Sequence, residues 1–205
     1  MNLLTLTITS FFVAFSGALM PGPLLAITVD HSLRKGAIAG PLIIVGHGIL
    51  EITLIIAIVL GMGDFLQKRI VLTISSLCGG AILLWMGQDM VRKAKNTTTT
   101  PKKGIFTDSS IIAGILGSLS NPYWTIWWVT IGLTYLILAM PYGILGISLF
   151  FTGHILADLS WYSIVSLGVS KGKRYIGLKT YQILISFCGI FLVFFGGYLL
   201  LNTVI

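Results

Sequence analysis

Apolar residues along this chain form six long runs, which are separated by short segments rich in glycine, polar and basic residues. Each run reaches the length of about 20 residues that a helix needs to cross a hydrocarbon core about 30 Å thick. A helix satisfies its own backbone hydrogen bonds, so it is the expected spanning element. The pattern predicts six transmembrane helices, at 4–28, 37–61, 69–91, 110–138, 142–169 and 178–202.

Composition agrees with this pattern, because 56% of the 205 residues are hydrophobic and only 9% are charged. A soluble domain usually has about 25% charged residues. The net charge of +7 does not indicate a nucleic-acid partner, since the basic residues lie between the apolar runs. We expect a small-molecule solute and the lipid bilayer as partners, and a homo-oligomer is left open. The first run has no basic segment ahead of it, which argues against a cleaved signal peptide.

The distribution of lysine and arginine predicts the orientation of the helices. Three alternate connections hold eleven of the thirteen basic residues, namely Arg34 and Lys35; Arg92, Lys93, Lys95, Lys102 and Lys103; and Lys171, Lys173, Arg174 and Lys179. The opposite side holds only Lys68 and Arg69. By the positive-inside rule, the three basic connections face the cytoplasm and both termini lie outside.

The two halves of the chain resemble each other. The segment GHGILE (46–51) matches GHILAD (153–158), and SSLCGGAILLWMG (75–87) matches ISFCGIFLVFFGG (185–197). Three helices per half is an odd number, so the second half enters the membrane from the opposite side, as in many secondary transporters. We therefore expect an all-α membrane protein with a 3+3 inverted repeat. Residues 1–91 form the first repeat, 92–109 a cytoplasmic linker and 110–205 the second repeat.

Prolines predict a break in the first and the fourth helix. Pro21-Gly22-Pro23 removes backbone donors and loosens the first helix, and Asn121-Pro122 has the same effect in the fourth. Beyond each break a new helix begins, and its free amides and positive dipole end suit an anion such as a carboxylate. A simple kink, which prolines produce in many membrane helices, is the alternative.

Four ionisable side chains fall near the middle of the predicted membrane, namely His47, Glu51, His154 and Asp158. In each half, the histidine and the acid are one helical turn apart and share a face. A charge at this depth costs about 2.5–3.5 kcal/mol, so such groups tend to face the bundle interior or a wet cavity. They suit proton or ion coupling, or binding of a substrate ammonium group. Self-satisfied pairs that only fix helix packing are the alternative.

The tryptophans and cysteines in the apolar runs are weaker candidates for a functional role. Trp124 and Trp128 lie four residues apart and deeper than an interfacial belt, so they either line a cavity or pack. Cys78 and Cys188 have no CxxC motif, which disfavours a thiol–disulfide carrier. The sequence contains no HExxH motif, so no motif supports a metalloprotease. We expect no enzyme activity, no cofactor and no resident metal.

The order of these features resembles the LysE/RhtB family of amino-acid exporters. The features are Pro-Gly-Pro in the first helix, Lys35-Gly36 with Gly40 at the start of the second, an acid within the second, and Asn-Pro in the fourth. The resemblance covers the whole chain. By motif position it assigns six residues to the central site: Pro21, Gly22, Pro23, Glu51, Asn121 and Pro122.

The resemblance implies a secondary active transporter that exports amino acids or related small solutes across a prokaryotic cytoplasmic membrane by antiport. The chain departs from the common family pattern at Leu24, where Asn is frequent, and at Tyr123, where Lys is frequent. Export of a divalent metal cation is the alternative function, because two imidazoles and two carboxylates facing one cavity match the ligands of intermediate cations.

Overall fold

A computed structural model describes residues 2–20, 22–62, 68–94, 107–172 and 178–204, and every regular element among them is helical. The α-helices are α1 (Leu3–Ala18), α2 (Pro23–Lys35), α3 (Ala39–Ala57), α4 (Arg69–Ala94), α5 (Ser110–Leu119), α6 (Pro122–Trp127), α7 (Leu133–Ala139), α8 (Gly143–Gly172) and α9 (Leu178–Val204). Short 3₁₀ turns span Gly36–Ile38 and Met140–Tyr142, and π-helical turns span Ile58–Met62 and Trp128–Gly132. The prediction of an all-helical chain is confirmed for the described residues.

The first predicted helix is broken, as the prolines indicate, but its second part is longer than predicted. Hydropathy falls at Asp30, and the predicted end at residue 28 is wrong because α2 continues to Lys35. Polar residues of this part find partners within the helix. Arg34 forms an ion pair of 3.1 Å with Asp30 one turn earlier, and the Ser32 hydroxyl donates to the Thr28 carbonyl. The last residue of the helix is Lys35, and the capping residue after it, Gly36, has a φ of 79°, a conformation that suits glycine.

The fourth predicted helix is also broken where its Asn-Pro pair lies. Helix α5 ends at Leu119, and Asn121 caps α6 by accepting a hydrogen bond from the Tyr123 amide at 3.1 Å. Pro122 is the first residue of α6, a position where the missing amide costs nothing. The predicted site residue Pro21, the side chain of Pro122 and linker residues 95–106 lie outside the described residues.

Two pairs of helices cross closely because a glycine lies at each contact. Helix α3 packs along α5 and α8 packs along α1. A Cβ atom added at Gly46 of α3 would overlap the carbonyl of Ile111, and one added at Gly153 of α8 would overlap the carbonyl of Thr7. Both glycines are the first residue of a Gly-His pair. The backbone approach that each allows places the following histidine deep within the bundle.

Within the part of the chain that the structure describes, two helical stretches, Pro23–Gly61 and Tyr123–Gly172, are long and apolar enough to cross a membrane. Each contains more than one helix, and each is interrupted by a glycine with positive φ, at Gly36 and Gly143. Large apolar side chains are exposed on the outer surface, among them Ile52 of α3. An apolar outer surface fits lipid better than water.

The close crossing of α3 and α5 yields a stability prediction. In Gly114→Ala, the new Cβ would overlap the backbone carbonyl of Ile43, which cannot rotate away. We expect a loss of about 1–3 kcal/mol, the usual cost of overpacking, visible as a lower melting temperature in detergent. The control is Gly168→Ala, where no atom lies within 4 Å of the new Cβ. Equal melting temperatures for the two variants would contradict the close crossing.

Candidate functional site

A cavity of about 310 Å³ lies in the centre of the bundle, between the two helix breaks. Small residues of α1 form one side, including Ala14 and Gly17. The breaks contribute Gly22 and Asn121, so that, with Glu51, three of the six residues assigned by the family resemblance lie at the cavity wall. The cavity therefore reaches both places where the backbone leaves the regular helix.

The four ionisable side chains meet at one wall of this cavity. Nε2 of His47 lies 3.1 Å from Oε1 of Glu51 and 3.5 Å from Oδ2 of Asp158. Nε2 of His154 lies 3.0 Å from Oε2 of Glu51 and 3.4 Å from Oδ2 of Asp158. Each imidazole thus contacts the acid of its own helix and the acid of the other helix. We call these four residues the His–acid quartet.

The quartet is buried, and its members depend on one another for charge balance. Exposure of the residues is 6% for His47, 0% for Glu51, 5% for His154 and 6% for Asp158. Two carboxylates at this depth carry two negative charges, which are costly in an apolar interior unless positive charges or hydrogen-bond donors compensate them. The wall can therefore accept protons, an ammonium group or a metal cation.

Two indoles donate hydrogen bonds to the carboxylate of Glu51, at the oxygen that Nε2 of each histidine also approaches. Nε1 of Trp128 donates to Oε1 at 2.8 Å, and Nε1 of Trp124 donates to the same oxygen at 3.1 Å. An indole N–H is only a donor, so Oε1 must act as an acceptor. Trp124 lies at the cavity wall, whereas Trp128 is buried behind Glu51.

Ser118 contacts the quartet and is a residue that the sequence analysis did not single out. Its Oγ lies 2.6 Å from Nδ1 of His47 and donates to the carbonyl of Gly114 at 2.8 Å. A hydroxyl has one proton to donate, so a Ser118 hydroxyl that donates to Gly114 accepts from Nδ1 of His47, whereas one that donates to Nδ1 leaves the ring proton on Nε2. The nitrogen that faces the two acids is Nε2.

Other cavity residues were also missed, although some carried a signal. Tyr162 lies four residues after Asp158 and eight after His154, so the three share one face of α8. Trp127 places its ring 4.6 Å from the ring of His154. Phe191 of α9 lines the cavity from a helix that carries no polar site residue in the predicted set, and nothing in its local sequence indicated this.

The two helix breaks present different surfaces to the cavity. At the start of α2, the capping position is Gly22, which has no side chain to bond the free amides. At the start of α6, the Asn121 side chain already occupies the Tyr123 amide. Pro23 is the buried first residue of α2, and Leu24 after it lines the cavity. The backbone amides at the first break, which no side chain caps, are therefore more available to a ligand than those at the second.

Removal of one indole donor tests whether the hydrogen bond from Trp128 to Glu51 stabilises the fold. Trp128→Phe keeps most of the ring but deletes the N–H that bonds Oε1. We expect a loss of about 1.5–3 kcal/mol, the usual worth of a hydrogen bond to a charged group, measured as a lower melting temperature in detergent. Trp85→Phe is the control, because Trp85 is 61% exposed. An unchanged melting temperature in Trp128→Phe would refute this bond as a stabilising contact.

Comparison with known proteins extends the resemblance from short motifs to nearly the whole chain. Residues 15–203 match the family described as LysE type translocator. Neither the curated proteins nor the solved structures yield a match. The matched range contains both helix breaks, the complete His–acid quartet and every described cavity-lining residue except Ala14. The protein therefore belongs to the LysE type translocator family.

Proposed function

We propose that this protein is a secondary active transporter that exports an amino acid or a related small solute from the cytoplasm. Membership of a translocator family supports transport of a small solute across a membrane. The observation that carries the proposal further is the convergence of both His–acid pairs at the wall of one cavity between two broken helices. Sites of secondary transporters typically lie near the bilayer midplane beside such broken helices.

The chemistry of the cavity favours a solute with an ammonium group. Among the described lining residues there is no lysine or arginine, whereas Glu51 and Asp158 supply two carboxylates. The ammonium group would bind these acids, and the solute carboxylate would bind the uncapped start of α2 beside Gly22. Aromatic walls, including Trp124 and Trp127, would pack against the rest of the solute. A volume of about 310 Å³ is near the lower end for small-molecule sites.

Charge balance within the quartet suggests how export is coupled to an ion gradient. The two carboxylates are neutralised by two positive charges, and an arriving ammonium group supplies one of them. Binding of the solute then releases one proton or other cation, and departure of the solute allows one to return. This exchange is antiport. In it, Glu51 and Asp158 hold the proton or the ammonium group, and His47 and His154 adjust their affinity for it.

We further propose that the helices form a six-span 3+3 inverted repeat. The first span is α1 with α2, the second α3, the third α4, the fourth α5 to α7, the fifth α8 and the sixth α9. In such a repeat the contact between α1 and α8 would be the counterpart of the contact between α5 and α3, and both pairs of helices pack against each other, which supports this arrangement. The repeats are residues 1–91 and 110–205, joined by a cytoplasmic linker at 92–109.

Substitution of the acids tests the transport proposal. Glu51→Gln and Asp158→Asn each remove one negative charge with little change of shape. In vesicles loaded with a panel of labelled amino acids and driven by a pH gradient, we expect at least about a tenfold loss of transport, as for loss of one charge-assisted contact. Asp108→Asn is the matched control, because its side chain is 70% exposed. Unchanged gradient-driven transport in both cavity variants would rule out the assigned role.

Reporter fusions test the proposed orientation. Alkaline phosphatase is active only outside the cytoplasm, and green fluorescent protein matures mainly within it. We expect an active phosphatase fused after the last residue and a fluorescent protein inserted within the linker at 92–109, because eleven basic residues lie in the connections on that side. The reverse pattern would show that both termini face the cytoplasm.

A further inference from the structure

We propose that the His–acid quartet is also a reversible site for one divalent transition-metal cation of the Zn²⁺ or Co²⁺ type. The ligands are Nε2 of His47, Nε2 of His154 and one carboxylate oxygen each from Glu51 and Asp158. The site is the one to which we assign the solute ammonium group, but metal binding does not require that the protein transports anything. Bound metal and bound ammonium exclude each other, because both use the same two acids.

The spacing of the ligand atoms fits a tetrahedral metal ion. Bonds of about 2.0–2.2 Å in a tetrahedral site separate neighbouring ligand atoms by about 3.3–3.6 Å. With Oε1 as the ligand atom of Glu51 and Oδ2 as that of Asp158, the four nitrogen–oxygen separations in the quartet are 3.1, 3.5, 3.1 and 3.4 Å. One ligand atom from each residue lies within 4.8 Å of all the others. Small side-chain movements are enough to place all four around one ion.

Hydrogen bonding within the quartet is incomplete, which leaves acceptors for a cation. Oε2 of Glu51 and Oδ2 of Asp158 are buried and accept no hydrogen bond, although imidazole nitrogens lie 3.0–3.5 Å away. A buried carboxylate oxygen without a donor is costly, and a cation between the four side chains would bind Oδ2 of Asp158 and the carboxylate of Glu51.

Neighbouring residues already orient two of the ligands. Histidines that bind metals usually donate their other ring N–H to a nearby acceptor, which fixes the ring and its tautomer. Ser118 can play this part for His47, because with its hydroxyl bonded to Gly114 it accepts from Nδ1, and the Nε2 lone pair then faces the acids. Trp128 holds the carboxylate of Glu51 in the same way. Ser118 is thus a positioning residue for metal binding.

Charge and ligand type narrow the class of cation. Two neutral imidazoles and two carboxylates carry a net charge of −2, so one divalent ion makes the buried site neutral. Calcium and magnesium prefer oxygen ligands only, whereas imidazole suits zinc, copper, iron and nickel. A mixed set of two nitrogens and two oxygens therefore favours a transition-metal ion. Export of such an ion, the alternative that the sequence leaves open, would need a site of this kind.

The first test uses the unmodified full-length chain in detergent, with any histidine tag removed and EDTA dialysed away. Titration with Co²⁺ should give one equivalent of the intense visible absorption of four-coordinate cobalt, and Zn²⁺ should displace it. Weak octahedral absorption, or no saturable binding, would overturn the proposal. This measurement needs no variant, so a folding defect cannot obscure it.

Variants then locate the site by Zn²⁺ calorimetry. His47→Gln and Asp158→Asn should each weaken binding at least about tenfold, and Ser118→Ala should weaken it about 10–100-fold, as is usual for residues that orient ligands. Ser118→Thr retains the hydroxyl and should restore affinity. His31→Gln is the matched control, because Nδ1 of His31 lies 3.0 Å from Ser110 Oγ, away from the quartet. Equal affinity in all variants would place the metal elsewhere and refute the assignment.

The two proposals for this site can fail separately. Amino-acid transport measured in EDTA requires no metal, so transport without Co²⁺ or Zn²⁺ binding would reject the metal site alone. Metal binding at the quartet without transport of any amino acid in the panel would reject the proposed solute alone. Inhibition of transport by Zn²⁺ that is relieved by excess solute is the result expected if both hold.

Discussion

Two carboxylates buried near the centre of an apolar bundle set the constraint on which the rest of this structure depends. Glu51 and Asp158 are 0% and 6% exposed. A negative charge buried in such an interior is strongly destabilising unless a positive charge or hydrogen-bond donors compensate it. The fold brings an imidazole from each of two helices against both acids, and it adds two indole donors to Glu51. Because these contacts cross between α3, α8 and the fourth predicted helix, the polar centre ties together both halves of the chain.

Glycines and helix breaks determine the surroundings of these buried acids. Gly46 and Gly153 each precede a quartet histidine and allow another helix backbone to approach closely. The two breaks open space beside the quartet, so the acids face a cavity instead of tightly packed side chains. Their capping differs, since Gly22 offers no side-chain acceptor whereas Asn121 bonds the Tyr123 amide. Although the halves are similar in sequence, the helix start at Gly22 and the helix start at Asn121 present different groups to a ligand.

Much of this organisation could be predicted because it has local causes. The helices follow from apolar runs, and the breaks follow from prolines that cannot donate a backbone hydrogen bond. The end of the first helix was placed too early, since Asp30 lowers hydropathy although its pairing with Arg34 is compatible with a helix. Ser118 was missed because a lone serine in an apolar helix has no distinctive pattern. Its role arises only from His47, which is distant along the chain.

The sequence by itself determined that the chain is helical, where its helices break and which ionisable groups are buried in apolar runs. These properties depend on residue type and on spacing along one helix. Only the tertiary structure decided that His47, Glu51, His154 and Asp158 share one wall, that Trp128 donates to Glu51, and that Ser118 bonds His47. Such contacts join residues more than 70 positions apart, and they depend on how helices cross, which no local pattern specifies.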